Sequence, residues 1–93
     1  MEIISRRWAL LIISVIGNRK LRYNKIIEKL SGISPKSLSD RIKELEKAGL
    51  IKRDAYAEIP PRVEYSLTKD GEELRRAIIP LMEWVSQRQS QHL

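Results

Sequence analysis

Gly32-Ile33-Ser34-Pro35-Lys36-Ser37-Leu38-Ser39-Asp40-Arg41-Ile42-Lys43-Glu44-Leu45-Glu46-Lys47-Ala48-Gly49-Leu50 reads as a helix with both ends marked. Ser34 suits the N-cap, where its hydroxyl accepts from a free backbone N–H, and Pro35 suits the first helical position, where a missing N–H costs nothing. Gly49 suits the left-handed stop after the last turn. Leu38, Ile42 and Leu45 recur at i, i+4 and i+7 and form one apolar stripe. The opposite arc carries Lys36, Asp40, Lys43 and Lys47, with Ser37 and Glu44 beside it. Such a helix is either an ordinary solvated element or a surface that meets a charged partner, and the flanking sequence separates the two.

Upstream, Asn24 to Leu30 fits a short helix with Asn24 as N-cap and Ile26, Ile27 and Leu30 facing inward. Leu21-Arg22-Tyr23 fits a very short strand or bridge. Ser31-Gly32-Ile33 then makes a three-residue turn with a glycine, the length and composition of the turn in a helix-turn-helix. Downstream, Leu50 to Ala57 reads as a strand, and Val63-Glu64-Tyr65-Ser66-Leu67 alternates cleanly. Between them Glu58-Ile59-Pro60-Pro61-Arg62 is a stiff loop, because prolines donate nothing to a strand ladder. A hairpin with a rigid tip, directly after the central helix, is a wing by position and chemistry.

The two ends of the chain are apolar helices. The first runs from about Glu2 to Ile16 and stops at Gly17-Asn18. Trp8, Leu11, Ile12, Val15 and Ile16 form its core stripe, and Ile3, Ile4, Leu10 and Ile13 spread apolar surface around the other sides. Such a helix must be covered on more than one face, as a central core helix, as a dimer interface, or both. Thr68 offers an N-cap for the last helix, with Asp70, Glu72 and Glu73 near its positive end. Leu74, Ile78, Leu81, Met82 and Val85 give that helix a stripe, Trp84 adds bulk, and Pro80 predicts a kink or split at about Ile79. Both tryptophans are expected in apolar cores. The fold class expected is mainly α with a small β-hairpin: a winged helix-turn-helix with a three-helix core, a two-stranded wing and a long kinked C-terminal helix, in one domain over residues 1–93. Helices 2–16 and 69–88 are the expected dimerisation elements, with Ile4, Trp8, Leu11, Leu81, Trp84 and Val85 as interface candidates.

Charge supports a polyanionic partner. The 93 residues carry 18 Lys+Arg against 12 Asp+Glu, a net charge of +6. The excess is +5 over residues 1–33 and +2 over 34–57, while residues 58–93 come to −1. There is no cysteine, so disulfides, thiolate metal sites and thiol redox sensing are excluded, and the one histidine is His92. Neither an enzyme nor a metal or cofactor site is expected. The run from Trp8 to Ile16 behind Arg6-Arg7 looks like a signal-peptide core, but it lacks a small-residue cleavage site and is too short to span a bilayer. A buried helix, no membrane contact and a cytoplasmic protein are expected instead. With only Trp8, Trp84, Tyr23, Tyr56 and Tyr65 available, no stacking platform for RNA is visible.

Double-stranded DNA is therefore the expected partner, read from the first turns of the central helix and gripped by its flanks. The recognition-helix candidates are Ser34, Lys36, Ser37, Asp40, Arg41 and Lys43. A lysine or arginine there donates to guanine O6/N7, and serine donates to or accepts from several base edges. Arg41 lies at the flank of the stripe, suited to phosphate as much as to a base. Asp40 either accepts from cytosine N4 or orients Arg41 or a lysine. Arg19, Lys20, Arg22 and Lys25 cluster near the second helix, and Asn24 adds a polar donor. The phosphate and wing candidates are Arg22, Asn24, Lys25, Arg53 and Arg62, with Lys52 and Arg53 at the wing base and Arg62 at its tip.

These pieces together resemble the HxlR-type family of winged helix-turn-helix transcription regulators. The likeness is carried by Arg7-Trp8-Ala9-Leu10-Leu11-Ile12, Leu21-Arg22-Tyr23-Asn24-Lys25-Ile26, the whole segment from Gly32 to Leu50, and Pro60-Pro61-Arg62-Val63-Glu64-Tyr65-Ser66-Leu67-Thr68-Lys69-Asp70-Gly71. The resemblance implies a homodimer built from the first and last helices on a palindromic operator, one recognition helix per half-site. It also covers the kink at Pro80 and the Glu83-Trp84 pair. Helix 35–48 is then expected in the major groove and wing 52–65 near the adjacent minor groove. Many relatives carry an N-terminal arm with a cysteine that responds to electrophiles or oxidants; this sequence starts almost at the first helix and has no cysteine, so that mechanism is not expected to carry over. The alternative to a DNA reader is a winged-helix module that assembles proteins without binding DNA.

Overall fold

The computed structural model describes residues 2–92, and the side chains of residues 7–88. Seven elements follow in order: α1 (Glu2–Ile16), β1 (Leu21–Arg22), α2 (Tyr23–Lys29), α3 (Pro35–Lys47), β2 (Ile51–Tyr56), β3 (Arg62–Leu67) and α4 (Lys69–His92). The winged helix-turn-helix expected from the sequence is present, with one addition. The wing strands do not stand alone: β1 pairs antiparallel with β3, giving a three-stranded sheet in the order β1-β3-β2. Leu21 faces Tyr65 and Arg22 faces Glu64 across one ladder, and Ile51 to Tyr56 run against Leu67 to Arg62 across the other.

The core is aliphatic and draws on every element. Ile12, Ile13 and Ile16 of α1 meet Ile26 and Leu30, Ile33 of the turn, Leu38, Ile42 and Leu45 of α3, Leu21, Ile51 and Leu67 of the sheet, and Ile78 of α4. α1 lies at the centre, touching α2, α3, α4 and β3. Its buried stripe is rotated from the expected one. Ile13 is fully buried, while Trp8, Leu11 and Val15 pack only partly against the core margin.

The ends of α3 are set by local chemistry. Ser34 is extended at φ −81°, ψ 155°, and its Oγ accepts from the Ser37 N–H at 3.1 Å. At the other end Gly49 adopts φ +76°, and the Gly49 and Leu50 N–H groups donate to the Glu46 and Leu45 carbonyls, both at 3.0 Å. This is a Schellman closure, whose left-handed residue suits glycine. Thr68 joins this stop to the start of α4. Its Oγ1 donates to the Gly49 carbonyl at 2.6 Å and accepts from the Gly71 N–H at 3.1 Å, and its N–H donates to the Leu50 carbonyl at 3.1 Å. Gly71 packs so closely on the Leu50 carbonyl that a Cβ there would collide with it.

Three expectations need correction. Asn24 is not an N-cap: α2 begins at Tyr23 with Arg22 in the cap position and no side-chain cap bond, because Arg22 is already extended as the last residue of β1. Of the two outcomes expected at Pro80, a kink or a split, the split does not occur: α4 runs unbroken through it as one long helix. Pro80 and Arg76 are both exposed, so water can replace the bond that the missing N–H denies the Arg76 carbonyl. Finally, only part of the α4 stripe is covered. Ile78 is buried and Leu74 and Met82 pack against the core, and Arg75 Nε ties the helix to α1 by donating to the Ser14 carbonyl at 3.1 Å. Leu81 and Trp84, in contrast, are 58% and 54% exposed, and Val85 is exposed beside them. Trp84 is therefore no core residue; the Arg88 guanidinium lies over its ring at 4.8 Å. Among the described residues no helix is long and apolar enough to cross a membrane.

Candidate nucleic-acid interface

The turn 31–34 sets α3 against α2 so that its apolar stripe faces inward and its charged arc outward. On that arc Lys36 and Asp40 form an exposed i,i+4 ion pair at 3.2 Å. Of the two roles open to Asp40, orienting a lysine is the one visible within the protein, and the lysine is Lys36. An exposed pair of this kind is worth roughly 0.3–0.5 kcal/mol, so Lys36 is restrained but not held. The Ser34 hydroxyl is committed to the cap. Ser37 follows in the first turn, half-buried. Arg41 is only 17% exposed, and its Nη2 donates to Glu44 Oε1 at 2.7 Å, which draws it down the flank of the helix.

Lys43 stands apart from these. It is exposed, takes part in no ion pair among the described residues, and lines a crevice of about 380 Å³ between α3 and the sheet. Tyr23, Ser39, Ile42, Glu46, Arg53 and Tyr65 complete its walls. Arg53, from the base of the wing, is likewise exposed and without an ion pair among the described residues. Two candidates from different elements, α3 and β2, thus share one concavity.

The remaining cationic candidates are spread over other faces. Arg22 is exposed opposite Glu64, and ladder partners project to the same side, so it shares a sheet face with Lys52, Asp54, Tyr56, Arg62 and Ser66, away from Arg53. Asn24 is exposed in the first turn of α2, and Lys25 pairs with Glu28 at 3.6 Å.

Arg62 lies inside a network: its guanidinium sits over the Tyr56 ring at 4.2 Å and its Nη2 meets Glu58 Oε2 at 3.1 Å. Lys20 extends the same network, donating to Tyr56 Oη at 3.3 Å and pairing with Asp54 Oδ2 at 3.4 Å. The Tyr56 hydroxyl first, and then the Asp54 carboxylate, hold the Lys20 ammonium above its ordinary value of 10.5. That upward shift means its contribution is fully present below 10.5 and is lost only as pH rises through the higher folded value.

Tyr23, expected from the sequence at the end of a short strand, instead opens α2 and has a role of its own. Its hydroxyl donates to the Pro35 carbonyl at 2.8 Å and receives Ser39 Oγ at 3.5 Å, pinning the first turn of α2 to the first turn of α3. The hydroxyl itself was the only signal, and nothing local says where it goes. Of the candidate interface residues, Leu81, Trp84 and Val85 share an exposed α4 face, and Trp8 and Leu11 lie partly buried on α1. The side chain of Ile4 lies outside the described residues. Among the described residues no group of His, Cys, Asp or Glu is placed to hold a metal ion.

Comparison with known proteins agrees with this architecture. Residues 3–93 match the family model described as HxlR-like helix-turn-helix. The chain is similar to the HTH-type transcriptional regulator YvaP of Bacillus subtilis (strain 168), 38% identical over 87 residues that cover 94% of this chain and 81% of that protein. Among solved structures it is similar to a transcriptional regulator from Porphyromonas gingivalis W83 assigned to the MarR family, with 41% identity, a TM-score of 0.78, and coverage of 100% of this chain and 87% of that one. It is also similar to the reduced form of the transcriptional regulator YodB from B. subtilis, with 34% identity, a TM-score of 0.77, and coverage of 92% and 84%.

Proposed function

The chain belongs to the HxlR-like helix-turn-helix family of winged-helix transcriptional regulators, which are not enzymes, and from that premise we propose that it acts as a homodimer on a palindromic operator. α3 enters the major groove of each half-site, with Lys36 and Ser37 at base edges. Arg41 and Lys43 face the flanking phosphates, and Ser34 fixes the first turn that presents these groups. Arg22, Asn24 and Lys25 grip the backbone at the start of α2, and Arg53 grips it at the wing base, bringing the wing, with Arg62 near its tip, beside the adjacent minor groove. Leu81, Trp84 and Val85 of α4, with Ile4, Trp8 and Leu11 of α1, form the contact with the second subunit.

The observation that carries this reading is the meeting of Lys43 and Arg53 in one crevice between α3 and the hairpin. Neither cation takes part in an ion pair among the described residues, so neither has to give up a protein partner to neutralise a phosphate and release its counterion. The test is a salt titration of duplex binding. Affinity should fall steeply with ionic strength, and Lys43→Ala or Arg53→Ala should each lower the log–log slope by about one, on operator and random DNA alike. A flat titration of the wild-type protein contradicts the reading and favours the protein-assembly alternative.

A further inference from the structure

We propose that the wing engages the minor groove of the operator through an apolar wedge, Ile59, rather than through its arginine. The proposal rests on the DNA-binding reading above and names the mode of contact at the wing. Ile59 is 102% exposed, in the loop between β2 and β3. Pro60 and Pro61 follow it and are exposed as well. Single exposed apolar residues are ordinary on protein surfaces, but a run of three on one turn is not. Folding does not account for it, because Ile59 packs against nothing in the core, and a polar turn residue would close the hairpin as well. The prolines also restrict the tip, which leaves it less freedom to lose on docking.

The cation next to the tip is already engaged. Arg62 lies against the Tyr56 ring and is paired with Glu58 at 3.1 Å, and the Glu58 N–H donates to the Tyr56 carbonyl at 2.9 Å. Turning Arg62 toward a phosphate would leave the Glu58 carboxylate unpaired beside the DNA backbone. With the pair intact the tip carries no net charge and presents an apolar end. That suits the sugar walls and base steps of a minor groove better than its phosphates. A wedge of this kind favours steps that unstack easily, so pyrimidine–purine steps are expected in the operator where the wing lies.

The test uses the whole protein and a duplex selected from random DNA. Ile59→Ser should lower operator affinity about ten-fold, the scale of one aliphatic side chain returned to water, with the salt slope unchanged. Ile59→Leu should retain affinity, and Glu58→Gln combined with Arg62→Ala, which removes the pair without leaving a bare carboxylate, should leave the slope unchanged. A 2-aminopurine placed at the step under the wing should brighten with the wild type and not with Ile59→Ser. Equal thermal melts of wild type and Ile59→Ser keep folding out of the comparison. Wild-type binding that Ile59→Ser leaves intact overturns the wedge alone, as does a slope lowered by about one in the Glu58→Gln, Arg62→Ala double variant. Failure of the wild type to bind any duplex overturns both readings.

Discussion

The apolar stripe of α3 and that of α4 are written with the same spacing, yet they end in opposite surroundings. Leu38, Ile42 and Leu45 are all buried, so apart from Pro35 the residues α3 leaves exposed are charged: Lys36 paired with Asp40 and, further along, Lys43 beside Arg53. In α4 the stripe is divided. Ile78 reaches the core, while Leu81 and Val85 lie exposed beyond Pro80 with Trp84 next to them, on a helix that helps to stretch the molecule to 50 × 27 × 22 Å. The spacing of apolar residues reveals that a helix has a dry side but not what covers it. One surface fits a charged, solvated partner and the other a dry one. Thr68 links them, since one hydroxyl serves both the stop of α3 and the start of α4.

The largest effect should come from placing a charge on the dry surface. Trp84→Glu should raise the dimer dissociation constant by about 100-fold or more in sedimentation equilibrium, the scale of losing a central aromatic anchor. Because Trp84 is half exposed in the subunit, the far-ultraviolet spectrum should not change. An unaltered dimer would place the subunit contact elsewhere and break the contrast between the two helices.

A smaller effect sharpens the polar side. Asp40→Asn removes a negative charge from the α3 arc and releases Lys36, so binding to operator and random duplex should both tighten, by about two-fold on the scale of an exposed i,i+4 ion pair. If operator binding alone weakens, Asp40 reads a base instead of restraining a lysine.

What could be read in the sequence was local chemistry. The Ser34 cap, the Gly49 stop, the Thr68 cap and the proline-stiffened hairpin each depend on a side chain acting within a few residues of itself, and all stand in the structure. What could not be read depends on which partner a side chain meets once the chain is folded. The short strand at Leu21-Arg22 is legible but its partner is not: pairing with β3 makes the sheet three-stranded and moves the start of α2 ahead of Asn24. Arg62 looks like any free wing cation until Tyr56 and Glu58 are seen beside it. Tyr23 reads as a strand residue until its hydroxyl reaches Pro35. Lys43 is legible as a cation on the outer arc of α3 and Arg53 as one at the wing base, but only the fold brings them to one crevice. The same limit explains Trp84, whose bulk suggests a core but whose position on α4 lies beyond the reach of the core.

The central claim is that two copies of α3 read two halves of one operator, held apart by α1 and α4. Hydroxyl-radical footprinting on a duplex selected from random DNA tests it most directly. The account predicts two protected patches related by a two-fold axis, with centres roughly one helical turn, about 34–36 Å, apart. A single asymmetric patch at saturating protein, or no protection at all, would contradict it.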